Sequence, residues 1–188
     1  MNKYTLFSSI FVASVVLDQV TKYWVRENIT YGDRYDEIQI IDGFFSLVHT
    51  QNRGAAFGIM EGQMLFFAVF TLIALVFIVY SLWAMDEEDT YQNIALSLIG
   101  SGAVGNAIDR VHKQAVTDFL RIYTEDPNLK PWLIDTFGMA EWPSFNVADA
   151  AIVVGMIMFF VHGMFFEEDT LSDDDEHIES PKLLEDEI

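Results

Sequence analysis

Two aspartates stand out by their surroundings: Asp118 in AVTDFL and Asp149 in FNVADAAI. After Asp149 the chain is almost wholly apolar as far as Phe166. A charge at mid-bilayer costs about 2.5–3.5 kcal/mol on insertion scales, so a carboxylate opening such a run is paired, at a water boundary, or functional. Asn146 and Asp149 are three residues apart and face the same way on a helix. Either pattern alone also fits a helix cap, which Asn and Asp favour. Two carboxylates held together can do more. One, ionised, removes a proton from water; the other, protonated, hydrogen-bonds to a scissile carbonyl. Their proximity drives their pKa values apart, because neighbouring anions repel. The chemistry such a pair offers is hydrolysis of an amide.

A second polar group lies in SGAVGNAIDRV, where Asn106, Asp109 and Arg110 share one broad helix face. Gly102 and Gly105 permit close approach of another helix or a peptide. The alternative is simple helix packing, with Asp109 and Arg110 at the membrane interface. Asp18 and Lys22 are spaced to pair with each other along a helix. Other chemistries have less support. Ser101 would need His112 or His162 within hydrogen-bond reach to act as a nucleophile. His49, His112, His162 and His177 are scattered without metal-ligand spacing, so no metal and no cofactor are expected. The chain has no cysteine, which excludes disulfides, thiol catalysis and thiolate metal sites.

The elements that must hold these residues are membrane spans. Of 188 residues, 52% are hydrophobic. MLFFAVFTLIALVFIVYSLWAM, residues 64–85, carries no charge and is long enough to cross a bilayer. Weaker spans are expected over residues 6–24, 94–108 and 147–166. The first could instead be a cleavable signal peptide with Lys3 as its charged end, but Asp18 and Lys22 stand where a cleavage site belongs. Four spans put both termini on one side. Small ion channels or transporters also carry intramembrane acids, and Asp18 fits a conduction path best. The net charge of −19 collects in residues 86–89 and in a tail over 167–188, expected to be disordered and solvated. With only 10 Lys and Arg, nucleic-acid binding is not expected. Asp42-Gly43 inside EIQIIDGFFSLVHTQ predicts a β-hairpin. Such a surface either holds an extended peptide by strand addition or is a loop folded over without a ligand. Residues 119–145 connect the last two spans, with Trp132 and Trp142 suited to a membrane interface.

The sequence resembles lipoprotein signal peptidase, the type II signal peptidase of bacteria. The matching stretches are LDQVTKYWV at 17–25, QNRGAAFGI at 51–59, GNAIDR at 105–110, VTDF at 116–119 and FNVAD at 145–149, in the family's order. The resemblance implies an all-α membrane protein of four transmembrane helices with a small extracytoplasmic β-hairpin or cradle, occupying residues 1–166. It implies an aspartyl endopeptidase that removes the signal peptide from diacylglyceryl-modified prolipoproteins, cutting before the lipidated cysteine. The catalytic aspartates would be Asp118 and Asp149. The supporting residues would be Asp18, Lys22, Asn52, Gly54, Asn106, Asp109, Arg110 and Asn146. Its partners are then the lipidated substrate and membrane lipid, with the chain acting as a monomer in the bacterial inner membrane. Cytoplasmic termini and an outward-facing site run against the positive-inside rule, since the longer loops hold most of the basic residues. Arg53 and Arg110, which belong to the matched motifs, bias that count. The linker from Asp118 to Asp149 is also longer than the family pattern, which leaves its shape open.

Overall fold

The computed structural model describes residues 2–33, 35–54 and 63–165. The end of the QNRGAAFGI motif and the acidic tail lie outside the described residues. Five helices and three strands follow one another: α1 (Lys3–Asn28), β1 (Ile38–Ile41), β2 (Phe45–Asn52), α2 (Met64–Ala84), α3 (Thr90–Lys113), β3 (Val116–Ile122), α4 (Leu129–Phe137) and α5 (Val147–Phe165).

Among the described residues, three helices are long and apolar enough to cross a membrane: Lys3–Asn28, Met64–Ala84 and Val147–Met164. α2 is the most apolar of the three, and Leu65, Val76, Val79 and Trp83 point outward along it. The expected span over 94–108 is a helix, α3, but it is not among the three. The reason is its position. α3 packs against α1, α2 and α5, so its faces meet protein, and it buries Asn93, Ser97, Ser101, Asn106 and Asp109. A helix surrounded by other helices does not need a fully apolar surface.

Small residues make that packing possible. A Cβ on Gly102 would strike the Ala148 carbonyl oxygen, and one on Gly105 would lie 2.5 Å from Asp18 Oδ2. Away from these contacts, Ile78, Leu82, Met85 and Leu96 form an apolar core between α2 and α3. Caps fix the helix ends. The Asn2 side chain accepts from Tyr4 N at 2.8 Å at the start of α1, and Asp89 accepts from Gln92 N at 2.9 Å at the start of α3.

The expected hairpin is present. β1 and β2 are antiparallel, joined through Gly43 at φ 69°, with Phe44 N donating to Ile41 O at 3.0 Å. It is one part of a three-stranded antiparallel sheet ordered β1-β2-β3. β3 carries Asp118, paired across from Thr50. Asp118 therefore sits in a strand, not at the helix cap that its pattern also fitted. Val25, Ile29 and Phe119 form a second apolar cluster where the end of α1 meets β3. The connecting segment contains a helix that the sequence reading did not anticipate: α4, ended by Gly138 at φ 75°. After α4 the chain returns along the outer edge of β3, with Trp142 N donating to Ile122 O at 2.9 Å and Phe145 N to Leu120 O at 3.1 Å. That edge is thus occupied by the chain itself.

Candidate active site

Asp149 reaches its position through a local rule of helix starts. Asn146 immediately precedes α5. Its Oδ1 accepts from Asp149 N at 3.0 Å, while Asp149 Oδ2 accepts from Asn146 N at 3.1 Å. This reciprocal pair satisfies backbone donors that a helix start leaves open. The capping and the pairing roles of these residues coexist: the Asn146 amide nitrogen also donates to Asp118 Oδ1 at 2.7 Å and to Asn106 Oδ1 at 3.2 Å. Asn106 Nδ2 donates in turn to Asp149 Oδ1 at 2.8 Å. The two aspartates, from β3 and α5, are therefore joined through two asparagine amides.

A buried frame stands behind this bridge. Lys22 Nζ donates to Asp18 Oδ2 at 2.9 Å and to Asn106 Oδ1 at 3.0 Å. This fixes the Asn106 amide so that its nitrogen faces Asp149. Asp18 Oδ1 accepts from Ala148 N at 3.0 Å, and Gln19 Nε2 donates to Asp18 Oδ2 and to Gly105 O, both at 3.0 Å. Asp18 thus pairs with Lys22, as the spacing predicts, and also holds the first turn of α5 against α1. Both side chains are almost completely buried, so the pair braces the site from inside the protein and does not face the cleft.

Asp109 also turns away from the cleft. Its Oδ2 accepts from Thr117 N at 2.9 Å, one residue before Asp118, and its Oδ1 lies 3.3 Å from Arg26 Nη1. Arg110, on the neighbouring face of α3, donates to Gly54 O at 3.2 Å and lies 4.3 Å from the centre of the Phe67 ring. Asn52 Oδ1 accepts from Gly54 N at 2.9 Å. Thr50 Oγ1 donates to the Asp118 carbonyl at 3.0 Å. Arg26, Thr117, Thr50 and Gln19 belong to the site's framework and were not singled out by sequence. Arg26 was legible in one respect. Asp18, Lys22 and Arg26 repeat every four residues and make one stripe of α1.

Asn52, Gly54, Asn106, Arg110, Asp118 and Asp149 line one cleft of about 950 Å³. The rest of its wall is mainly apolar, with Phe66, Phe67 and Phe70 from α2 facing Ile152 and Val153 from α5. It can take a long apolar group beside a polar end. Asp118 is 3% exposed. Burial, then the neighbouring Asp149 carboxylate, pushes its pKa up to about 7, against the opposing effects of hydrogen bonds from Asn146 and Asn52 and the charge of Lys22. A carboxyl that keeps a proton near neutrality, beside a second carboxyl, is the arrangement needed for acid–base activation of water.

The rival nucleophile is placed differently. Ser101 donates to Leu98 O, one turn back in its own helix, at 3.0 Å. His162 pairs with Asp89, the cap of α3, and His112 lies at the other end of that helix. Each end is roughly 16–18 Å of helix from Ser101. Asp18 joins the same cluster as Asp118 and Asp149, so these acids gather at one site and do not spread along a path.

Fold and site together define a helical membrane protein with a polar centre at the head of an apolar cleft. Two solved structures, each titled a bacterial membrane enzyme structure obtained by the in meso method, at 2.3 Å and at 1.9 Å resolution, are similar to it with a TM-score of 0.69 in both cases. Sequence identity is 29% and 32%, covering 94% and 85% of this chain and 93% of each neighbour. The family described as signal peptidase (SPase) II matches residues 10–165, and the chain belongs to that family. The lipoprotein signal peptidase of Bacillus pumilus is 40% identical over 78% of this chain and 84% of its own length. That of Maridesulfovibrio salexigens is 41% identical over 86% of this chain and 96% of its own length.

Proposed function

We propose that the chain is an aspartyl endopeptidase that removes the signal peptide from diacylglyceryl-modified prolipoproteins, cutting before the lipidated cysteine. The observation that carries this reading is the link between Asp118 and Asp149 through the Asn146 and Asn106 amides, at the polar end of a cleft otherwise fit for acyl chains. The names of its relatives supply the substrate class.

In the reaction, the ionised aspartate takes a proton from water as the water oxygen bonds to the scissile carbonyl carbon. The protonated aspartate donates to the carbonyl oxygen, which receives the displaced electron pair. Collapse of the tetrahedral intermediate breaks the C–N bond: the leaving amine takes the proton from the aspartate that received it from water, and a hydroxyl of the intermediate returns a proton to the other aspartate as the carbonyl re-forms. One water is consumed and the carboxyls return to their starting state. The pKa of about 7 at Asp118 keeps the required proton in the site at neutral pH. The single-proton state belongs to the pair as a unit.

α3 is the fourth span in this reading. At 24 residues it is about 36 Å long, enough to cross the hydrocarbon core beside α1, α2 and α5. The site then lies near the extracytoplasmic face with the sheet, and the termini lie in the cytoplasm. The chain is a multi-pass protein of the bacterial inner membrane and acts as a monomer. A boundary position meets both demands of the chemistry, because the substrate's lipid stays in the bilayer while the carboxyls need water. The test is incubation of the purified protein in detergent with a synthetic diacylglyceryl-prolipoprotein peptide, with products identified by mass. A product beginning at the lipidated cysteine supports the reading. Cleavage elsewhere, or equal cleavage of the peptide without its lipid, overturns it.

A further inference from the structure

We propose that Arg26 is a positioning residue for the reaction: it fixes the strand bearing Asp118 by joining Asp109 to Thr117. The proposal rests on the two-aspartate reading above. Arg26 Nη1 lies 3.1 Å from Thr117 Oγ1 and 3.3 Å from Asp109 Oδ1. Asp109 Oδ2 accepts the backbone N–H of the same threonine at 2.9 Å. Thr117 is thus held by side chain and backbone at once, immediately before Asp118. On the other side, Thr50 holds the Asp118 carbonyl. Asp109 and Thr117 are each 1% exposed, so neither group has water as a ready substitute.

Charge makes the same assignment. Six groups face this network: Asp18, Lys22 and Arg26 from α1, Asp109 and Arg110 from α3 and Asp118 from β3, with Asp149 of α5 reached through Asn106. Lys22 lies 2.9 Å from Asp18 and 3.8 Å from Asp109. Its short contacts are thus to Asp18 and Asn106, and Arg26 is the cation that reaches both Asp109 and Thr117. Without Arg26, Asp109 draws on Lys22. That pulls Lys22 from Asn106, whose amide holds Asp149. One arginine on α1 therefore keeps both carboxyls in register.

The test measures kcat, KM and the pH profile of cleavage of a diacylglyceryl-prolipoprotein peptide by the full chain in detergent. Arg26→Gln is expected to lower kcat roughly tenfold to a hundredfold, the scale of a small misplacement of reacting groups, with KM unchanged. The alkaline limb of its profile moves to higher pH, because Lys22 no longer opposes the raised pKa of Asp118 as strongly. Thr117→Val shows a similar loss, and the double variant loses little more than either single one, since both break the same link. Arg26→Lys keeps the charge and recovers part of kcat. Unchanged kcat in folded Arg26→Gln, additive losses, or a fall in folded yield without a shift of the profile each overturn the proposal. If Arg26→Gln does not fold, Thr117→Val and Arg26→Lys decide by the same criteria. An active wild type that loses all turnover in Asp118→Asn upholds the parent reading, so indifference to Arg26 then removes this proposal alone. Retained turnover in Asp118→Asn removes both.

Discussion

Replacing Asp118 by Asn should stabilise the protein while abolishing turnover, and the gain should depend on pH. The folded pKa of Asp118 is raised from 3.8 to about 7. A raised pKa means that the folded state resists ionisation more than the unfolded chain does. The stability this group offers is complete below pH 4 and is lost as pH rises to 7. Asn has no charge to lose and keeps an oxygen to accept from Asn146. The variant therefore gains on wild type by about 1.4 kcal/mol per pH unit through that window, reaching about 4 kcal/mol above pH 7 as an upper bound. For a chain of this size, with about 2–4 °C per kcal/mol, that corresponds to a melting temperature higher by roughly 10 °C at pH 8 and by about a third of that at pH 5. Thermal melts in one detergent at both pH values provide the assay. A variant no more stable than wild type at pH 8, or one equally stabilised at both, would refute the argument that burial beside Asp149 strains the ionised form of Asp118.

Further outcomes follow from the frame behind the aspartates. Asp18→Asn breaks a fully buried ion pair and weakens the hold on Ala148 N, so it should lower stability by about 3–5 kcal/mol and reduce turnover with it; a variant with wild-type melting but no turnover would assign Asp18 a direct chemical role. Gly105→Ala forces a methyl against the Asp18 carboxylate and should cost about 1–3 kcal/mol, visible as a lower melting temperature, whereas an unchanged melt would mean α1 and α3 are not packed this closely. Cleavage measured with and without a chelator should proceed at the same rate, because two carboxyls and water suffice for the chemistry; a chelator-sensitive rate would contradict the two-aspartate mechanism.

The spans α1, α2 and α5 were legible because long apolar runs are local signals. α3 was harder: its buried Asn93, Ser97 and Asn106 lower its hydropathy, and only the surrounding helices explain why they are tolerated. Asp42-Gly43 marked the hairpin for a local reason too, since its turn needs positive φ at Gly43. β3 was not legible, because its partner strand β2 lies some 70 residues earlier and VTDF alone is too short to declare a strand. The spacing of Asn146 and Asp149 offered a shared face or a helix cap as alternatives, and the structure shows both together. α4 escaped because Pro131 inside it and Pro127 just before it disfavour a helix, although proline is tolerated in a first helical turn. The partner of Arg26 was not legible, because nothing local to it signals Thr117, which is 91 residues away.

The most direct test of the two-aspartate account is cleavage of a diacylglyceryl-prolipoprotein peptide by wild type, Asp118→Asn and Asp149→Asn, each verified as folded by its melt. A cut before the lipidated cysteine is expected from wild type, and none above background from either variant. Cleavage at the wild-type rate in either folded variant would contradict the two-aspartate mechanism.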